Sequence, residues 1–139
     1  LARRLPASDR NDHFQRFRFA ASFFKMNQEQ KERFADALAR VSGDTEILAT
    51  LASIASEDAP ELLHRLEESI EVGDWSGCAR TAHSLKGLLS TFETHEPVSR
   101  IQPLIDAARQ ADGDAVIARH ATLRAKLQAL IAEIESLKE

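Results

Sequence analysis

Apolar positions along this chain recur at intervals of three and four, with no stretch showing the alternation of a half-buried strand. The clearest run is Val116, His120, Leu123, Leu127, Leu130, Ile134 and Leu137, a strict seam in which His120 is the polar member. It predicts a helix that begins after Asp114. Ile47, Leu51, Ile54, Leu62, Leu66 and Ile70 predict a long helix over 45–72, with Asp58 a gap in the stripe. Pro60 lacks an N–H for the carbonyl of Ser56, so a bend or a split is expected there. Phe34, Leu38 and Val41 predict a helix over 28–42, with Asn27 as its cap and Gln30 reciprocating. Ile101, Leu104, Ile105 and Ala108 predict a further helix capped by Ser99, with Gln102 three residues on and Pro103 just inside. Between these lies a helix over roughly 75–92. Its apolar side carries Cys78, Leu85, Leu88, Leu89 and Phe92.

Gly43-Asp44, Gly73-Asp74 and Gly113-Asp114 punctuate the pattern. Glycine past a helix end takes the left-handed conformation, and aspartate then caps the next helix. Each pair predicts a short corner, and short corners force antiparallel neighbours. The fold expected is all-α: an antiparallel four-helix bundle, with the additional N-terminal helix of 28–42 packed at one end. The bundle domain is 27–139. Residues 1–26 read as a basic, Phe-containing tail or linker. Within it, 1–12 are polar and hold Pro6. A short helix over 13–26 would pack Phe14, Phe17, Phe19, Phe23 and Phe24 on the body or on another chain.

Composition changes the picture in three places. The length of 139 residues fits one domain with a respectable core. The single Cys78 excludes an internal disulfide and fits a reducing, cytoplasmic setting. No apolar run approaches the ~20 residues of a membrane span, so membrane insertion is not expected. Of the formal charge of −4, residues 1–25 hold +4, from six Lys or Arg against two Asp, which leaves −8 for the rest. An acidic body argues against nucleic acid as a partner.

The candidate chemistry lies in Ala82-His83-Ser84-Leu85-Lys86-Gly87. With His83 as zero on a helical wheel, Ser76, Ala79, Arg80, Lys86, Gly87 and Ser90 all fall within about 60°. The apolar side points the other way, so His83 is expected to face solvent among small or basic residues. A neutral imidazole is a good nucleophile near neutral pH. A phosphoryl group on its ring would find Lys86, and more weakly Arg80, one turn away to offset the charge. Gly87 leaves a gap that a partner's loop can enter. Its cost, about 1 kcal/mol against alanine in a helix, asks for such a reason. Ser84 points about 100° away, and no Asp or Glu lies one turn from His83 to build a nucleophile–base pair.

The motif from Ala82 to Gly87 resembles the signature of the histidine-containing phosphotransfer (HPt) family, and the resemblance extends over about 34–137. Asp58 to Leu63 and Glu71 to Asp74 also resemble that family's approach to its histidine helix. Leu88, Leu89, Thr91 and Glu93 depart from it, where the family often has small residues and a further glycine. The resemblance implies a phosphorelay intermediate of two-component signalling. His83 would accept a phosphoryl group from a receiver-domain aspartate and pass it to another receiver. It implies response-regulator receivers as partners, with a hybrid sensor histidine kinase a further candidate. It also implies that the receiver supplies Mg²⁺, with no cofactor held here. No glycine-rich phosphate loop is present, so a carrier rather than an ATP-using enzyme is expected. The alternative is a non-transferring helical adaptor that binds receivers or other signalling domains. A metal-dependent bundle enzyme needs a second Glu-x-x-His beside Glu61-Leu62-Leu63-His64, and the chain has none, so no metal is expected.

Overall fold

A computed structural model describes residues 26–138. They form α1 (Gln28–Arg33), α2 (Ala35–Arg40), α3 (Thr45–Val72), α4 (Trp75–Leu89), a 3₁₀ turn at Val98–Arg100, α5 (Ile101–Arg109) and α6 (Gly113–Glu135). There is no strand among the described residues. The tail and its phenylalanines lie outside them, apart from Met26, which is buried in the core.

The long helices close a ring. α3 packs on α4 and α6, and α5 packs on the same two. Side-chain pairs give the directions. Lys86, late in α4, bonds Gln102 at the start of α5. Glu67, late in α3, bonds His120 and Arg124 in the first half of α6. Neighbours are therefore antiparallel, the expected all-α bundle. The α6 seam is buried as its spacing implies, from Val116 to Leu137, with His120 partly covered. Ile101, Leu104, Ile105 and Ala108 of α5 are likewise in the core.

The long helix differs from expectation in two ways. It is continuous across Pro60, so the proline does not split it. Its buried line is Leu48, Ala52, Ala55, Ala59, Leu63 and Leu66, whereas Ile47 and Ile54 are 47% and 49% exposed. A stripe weighted by large side chains missed the alanines. Small residues let two helix axes approach closely, and α3 buries four of them.

The N-terminal helix also differs. It is two short helices, broken at Phe34, whose backbone leaves the helical region at φ −111°, ψ 32°. The break lets the Phe34 ring turn inward to meet Phe92 edge-on, with centroids 6.3 Å apart. Around that contact Arg33 bridges Glu93 at 2.6 Å and Glu133 at 2.9 Å. The Gln30 amide donates to the Ser136 hydroxyl, and Arg40 donates to the Thr91 carbonyl. The pair α1–α2 thus lies across the end where α4 and α6 finish. Asn27 and Gln30 do form the reciprocal cap.

Of the three corners, Gly43 and Gly73 take the left-handed conformation, at φ 75° and 71°, and Asp44 and Asp74 cap α3 and α4 as expected. The third pair is a correction. Asp112, not Asp114, caps α6 by accepting from the Ala115 N–H, and Gly113 is already helical. The left-handed residue is Ala111, at φ 54°. Two further ends move. α4 stops at Leu89 rather than near Phe92, and Ser99 does not cap α5. Arg100 occupies that place with no side-chain bond, after the 3₁₀ turn. Pro103 is the third residue of α5, where a backbone N–H has no helical partner to lose.

Candidate functional site

The site grows out of α4. Asp74 accepts from the Gly77 N–H at 2.9 Å and starts the helix. A Cβ on Gly77 would strike that carboxylate, so the tight cap needs glycine there. Cys78, Ala82, Leu85 and Leu89 then face the core, each with no exposed surface. Burial, with the Asp74 charge behind it, pushes the Cys78 thiol up, which fits an unreactive core residue.

The opposite face is open. His83, Ser76, Arg80 and Gly87 are exposed, and Lys86 and Ser90 are half-buried. Ala79 is buried, at 8%, and serves as floor rather than surface. His83 lines a concavity of about 500 Å³ together with Ser76, Ala79 and Arg80. Its other wall comes from Trp75 and from Ala108, Arg109 and Ala111, at the turn from α5 to α6. Lys86, Gly87 and Ser90 lie farther along α4, outside that wall. A Cβ built on Gly87 meets nothing within 4 Å, so packing does not demand glycine there. What the glycine leaves is clear space one turn beyond the imidazole.

Histidine partners separate the site from the rest of the surface. His120 bonds Glu67 at 2.8 Å, His64 lies 3.7 Å from Glu68, and His95 lies 3.4 Å from Glu93. Of the four described histidines, His83 alone has no carboxylate partner and no hydrogen bond among the described residues. A carboxylate beside the ring would repel an incoming phosphoryl anion.

The cations are held differently from one another. Arg80 donates to the Ser76 hydroxyl one turn back, at 2.9 Å. Lys86 reaches across to α5 and donates to the Gln102 side-chain oxygen at 2.7 Å, while the Gln102 amide donates to Asp106 at 2.8 Å. A neutral oxygen thus fixes the ammonium in place without cancelling its charge. Ser90 donates to the Lys86 carbonyl and helps finish the helix. Local pattern presents Gln102 only as a capping residue and does not mark Asp106, Arg109 or Trp75 as parts of the site. The spacing of Gln102 and Asp106, one helical turn apart, was a visible signal. Their meeting with Lys86 was not, because it crosses between helices.

Trp75 is set by a second close approach. A Cβ on Gly113 would come within 2.5 Å of the indole, so the ring lies flush on bare backbone at the start of α6. Elsewhere, Glu61 bonds Arg65 on the surface, and no group of three metal-binding side chains gathers among the described residues. No described helix is long and apolar enough to cross a membrane.

A family model described as the Hpt domain matches residues 50–136, from the second turn of α3 to the end of α6. No curated protein and no solved structure matches the chain. The matched span is well over half of the chain and encloses the whole bundle face that carries His83. Hpt domains are phosphocarrier modules of two-component phosphorelays, working with receiver domains and histidine kinases rather than using ATP themselves. This chain belongs to the Hpt domain family.

Proposed function

We propose that His83 is the phosphoacceptor. A ring nitrogen attacks the phosphorus of an aspartyl phosphate on a receiver domain. The P–N bond forms as the P–O bond to the aspartate breaks, and the carboxylate leaves. A second receiver reverses the step, its aspartate displacing the imidazole. The reading is carried by one observation: an exposed imidazole with no carboxylate partner among the described residues, in the middle of a helix, beside open space at Gly87.

The neighbouring groups take distinct parts. Lys86, steadied by Gln102, offsets the negative charge gained on phosphorylation, since charge-assisted hydrogen bonds to phosphoryl oxygens are the strong ones. Arg80 contributes a second, more mobile cation once it leaves Ser76. Ser76, Ala79, Gly87 and Ser90 keep the docking face low, so a receiver's acidic pocket can close over the ring. In-line transfer depends chiefly on positioning and charge neutralisation. The receiver brings Mg²⁺ and its own catalytic groups; this domain brings the nucleophile and its cations. A receiver of a hybrid sensor kinase is the natural donor, and a response regulator the acceptor.

The test is incubation of the purified chain with a panel of phosphorylated receivers, with His83→Gln as control. Transfer of label to wild type and none to the variant is expected. Wild type that stays unlabelled beside a charged cognate receiver would overturn the proposal. A His83→Gln variant that still binds receivers and signals normally would establish the adaptor reading instead.

A further inference from the structure

The concavity beside His83 takes a cation from each of its two walls. Arg80 lines it from α4, and Arg109 from the last turn of α5. No carboxylate lines it among the described residues, although residues 26–139 are acidic overall. Most arginines of the bundle are already held. Arg33, Arg65, Arg100 and Arg124 pair with glutamates, Arg40 donates to a backbone carbonyl, and Arg80 rests on the neutral Ser76 hydroxyl. Arg109 and Arg119 have no hydrogen bond or ion pair among the described residues, and of the two only Arg109 lines this concavity.

The acids nearest Arg109 in the chain are engaged elsewhere. Asp106, three residues back, accepts from the Gln102 amide at 2.8 Å. Asp112, three residues on, accepts from the Ala115 N–H at the start of α6. Gln102, which steadies Lys86, thus also takes up the carboxylate that helical spacing would offer to Arg109. Two guanidiniums lining one cavity repel each other unless an anion comes between them.

Resting on the reading of His83 as phosphoacceptor, we propose that Arg109 is a docking residue that pairs with a carboxylate of the incoming receiver, at the rim of its aspartate pocket. Charge selects this occupant. A receiver that holds Mg²⁺ beside its aspartate presents carboxylates, because Mg²⁺ takes hard oxygen ligands. A planar guanidinium binds a carboxylate through two parallel hydrogen bonds and so fixes its orientation. The concavity, at about 500 Å³, has room for a whole side chain of the partner. Lys86 lies outside it. Lys86 therefore serves the phosphoryl group, and Arg109 serves the protein that carries it. A cation in the last turn of α5 also suits the helix dipole, a purely structural role that predicts a different result.

The test uses whichever phosphorylated receiver of the panel labels wild type fastest, with initial transfer rate followed against receiver concentration. Arg109→Ala should raise the half-saturating concentration about three- to fivefold at low salt and leave the plateau rate unchanged. Arg109→Lys should recover part of the loss, and high ionic strength should close the gap between variant and wild type. Unfolding curves show that both variants fold. A half-saturation that does not move, with or without lost stability, would overturn the proposal and leave the helix-end role. A fall in plateau rate alone would overturn it as well, because the arginine would then act on the phosphoryl group. Wild type that takes no label from any charged receiver overturns the phosphoacceptor reading itself, and this inference with it.

Discussion

Two histidines on diagonally placed helices of the bundle have opposite surroundings. His120 sits on the α6 seam, only 17% exposed at its side chain, and shares Glu67 with Arg124. His83 stands exposed on α4 with no carboxylate partner among the described residues. The first joins α3 to α6 and is committed to structure. The second has no partner among the described residues, as the proposed phosphoacceptor role requires. Polarity alone does not tell the two apart; what differs is the carboxylate partner that His120 has and His83 lacks among the described residues.

The largest effect that sharpens this contrast is on transfer. His83→Gln should abolish phosphoryl uptake from a charged receiver while unfolding free energy stays within about 0.5 kcal/mol of wild type. His120→Gln should do the reverse, keeping transfer within about twofold and costing about 1 kcal/mol in chemical denaturation. If both variants lost transfer equally, the distinction would collapse.

Next in size is Lys86→Ala, expected to slow transfer on the order of tenfold by removing a charge-assisted contact to the phosphoryl group. Gln102→Leu leaves the lysine but frees it, so stopped-flow transfer should fall by less, about two- to threefold. A larger loss for Gln102→Leu than for Lys86→Ala would mean that the glutamine acts directly.

Acid titration gives a smaller, opposite-handed test. Burial by itself would raise the Glu67 carboxyl, but the bonds from Arg124 and His120 outweigh it and hold it below the ordinary glutamate value. The folded state therefore favours the ionised form. Its contribution is complete above the unfolded value, about 4.3, and is lost as pH falls through the lower folded one. Glu93 behaves alike: burial raises it, and Arg33 and the His95 N–H bring it down further. Stability measured by denaturation from pH 6 to pH 3 should depend less steeply on pH in Glu67→Gln than in wild type. The smallest effect is at Ala111, left-handed at φ 54° in the wall of the His83 concavity. Ala111→Gly should stabilise by no more than ~1 kcal/mol, with transfer unchanged.

Much of the molecule was legible from residue order. The outward turn of His83, the seam of α6, the caps at Asn27, Asp44 and Asp74, and the apolar side of α5 all follow from the 3.6-residue period and from local hydrogen bonding. The misreadings share one cause. Ala52, Ala55 and Ala59 were passed over because small side chains give a weak signal until a second helix lies against them. Gly113 looks like a corner in sequence because nothing there shows an indole resting on it. The break at Phe34 is rewarded only by Phe92, far along the chain.

By itself, then, the sequence determined that the chain is helical, which sides of α4, α5 and α6 are apolar, and which histidine carries small and basic neighbours, since these depend on residues within a turn of one another. The tertiary structure alone decided that Lys86 rests on Gln102, that Glu67 pairs with His120, and that Trp75 and the α5–α6 turn wall the concavity. Such pairings join residues distant in the chain, and only the packing of whole helices brings their side chains within bonding distance.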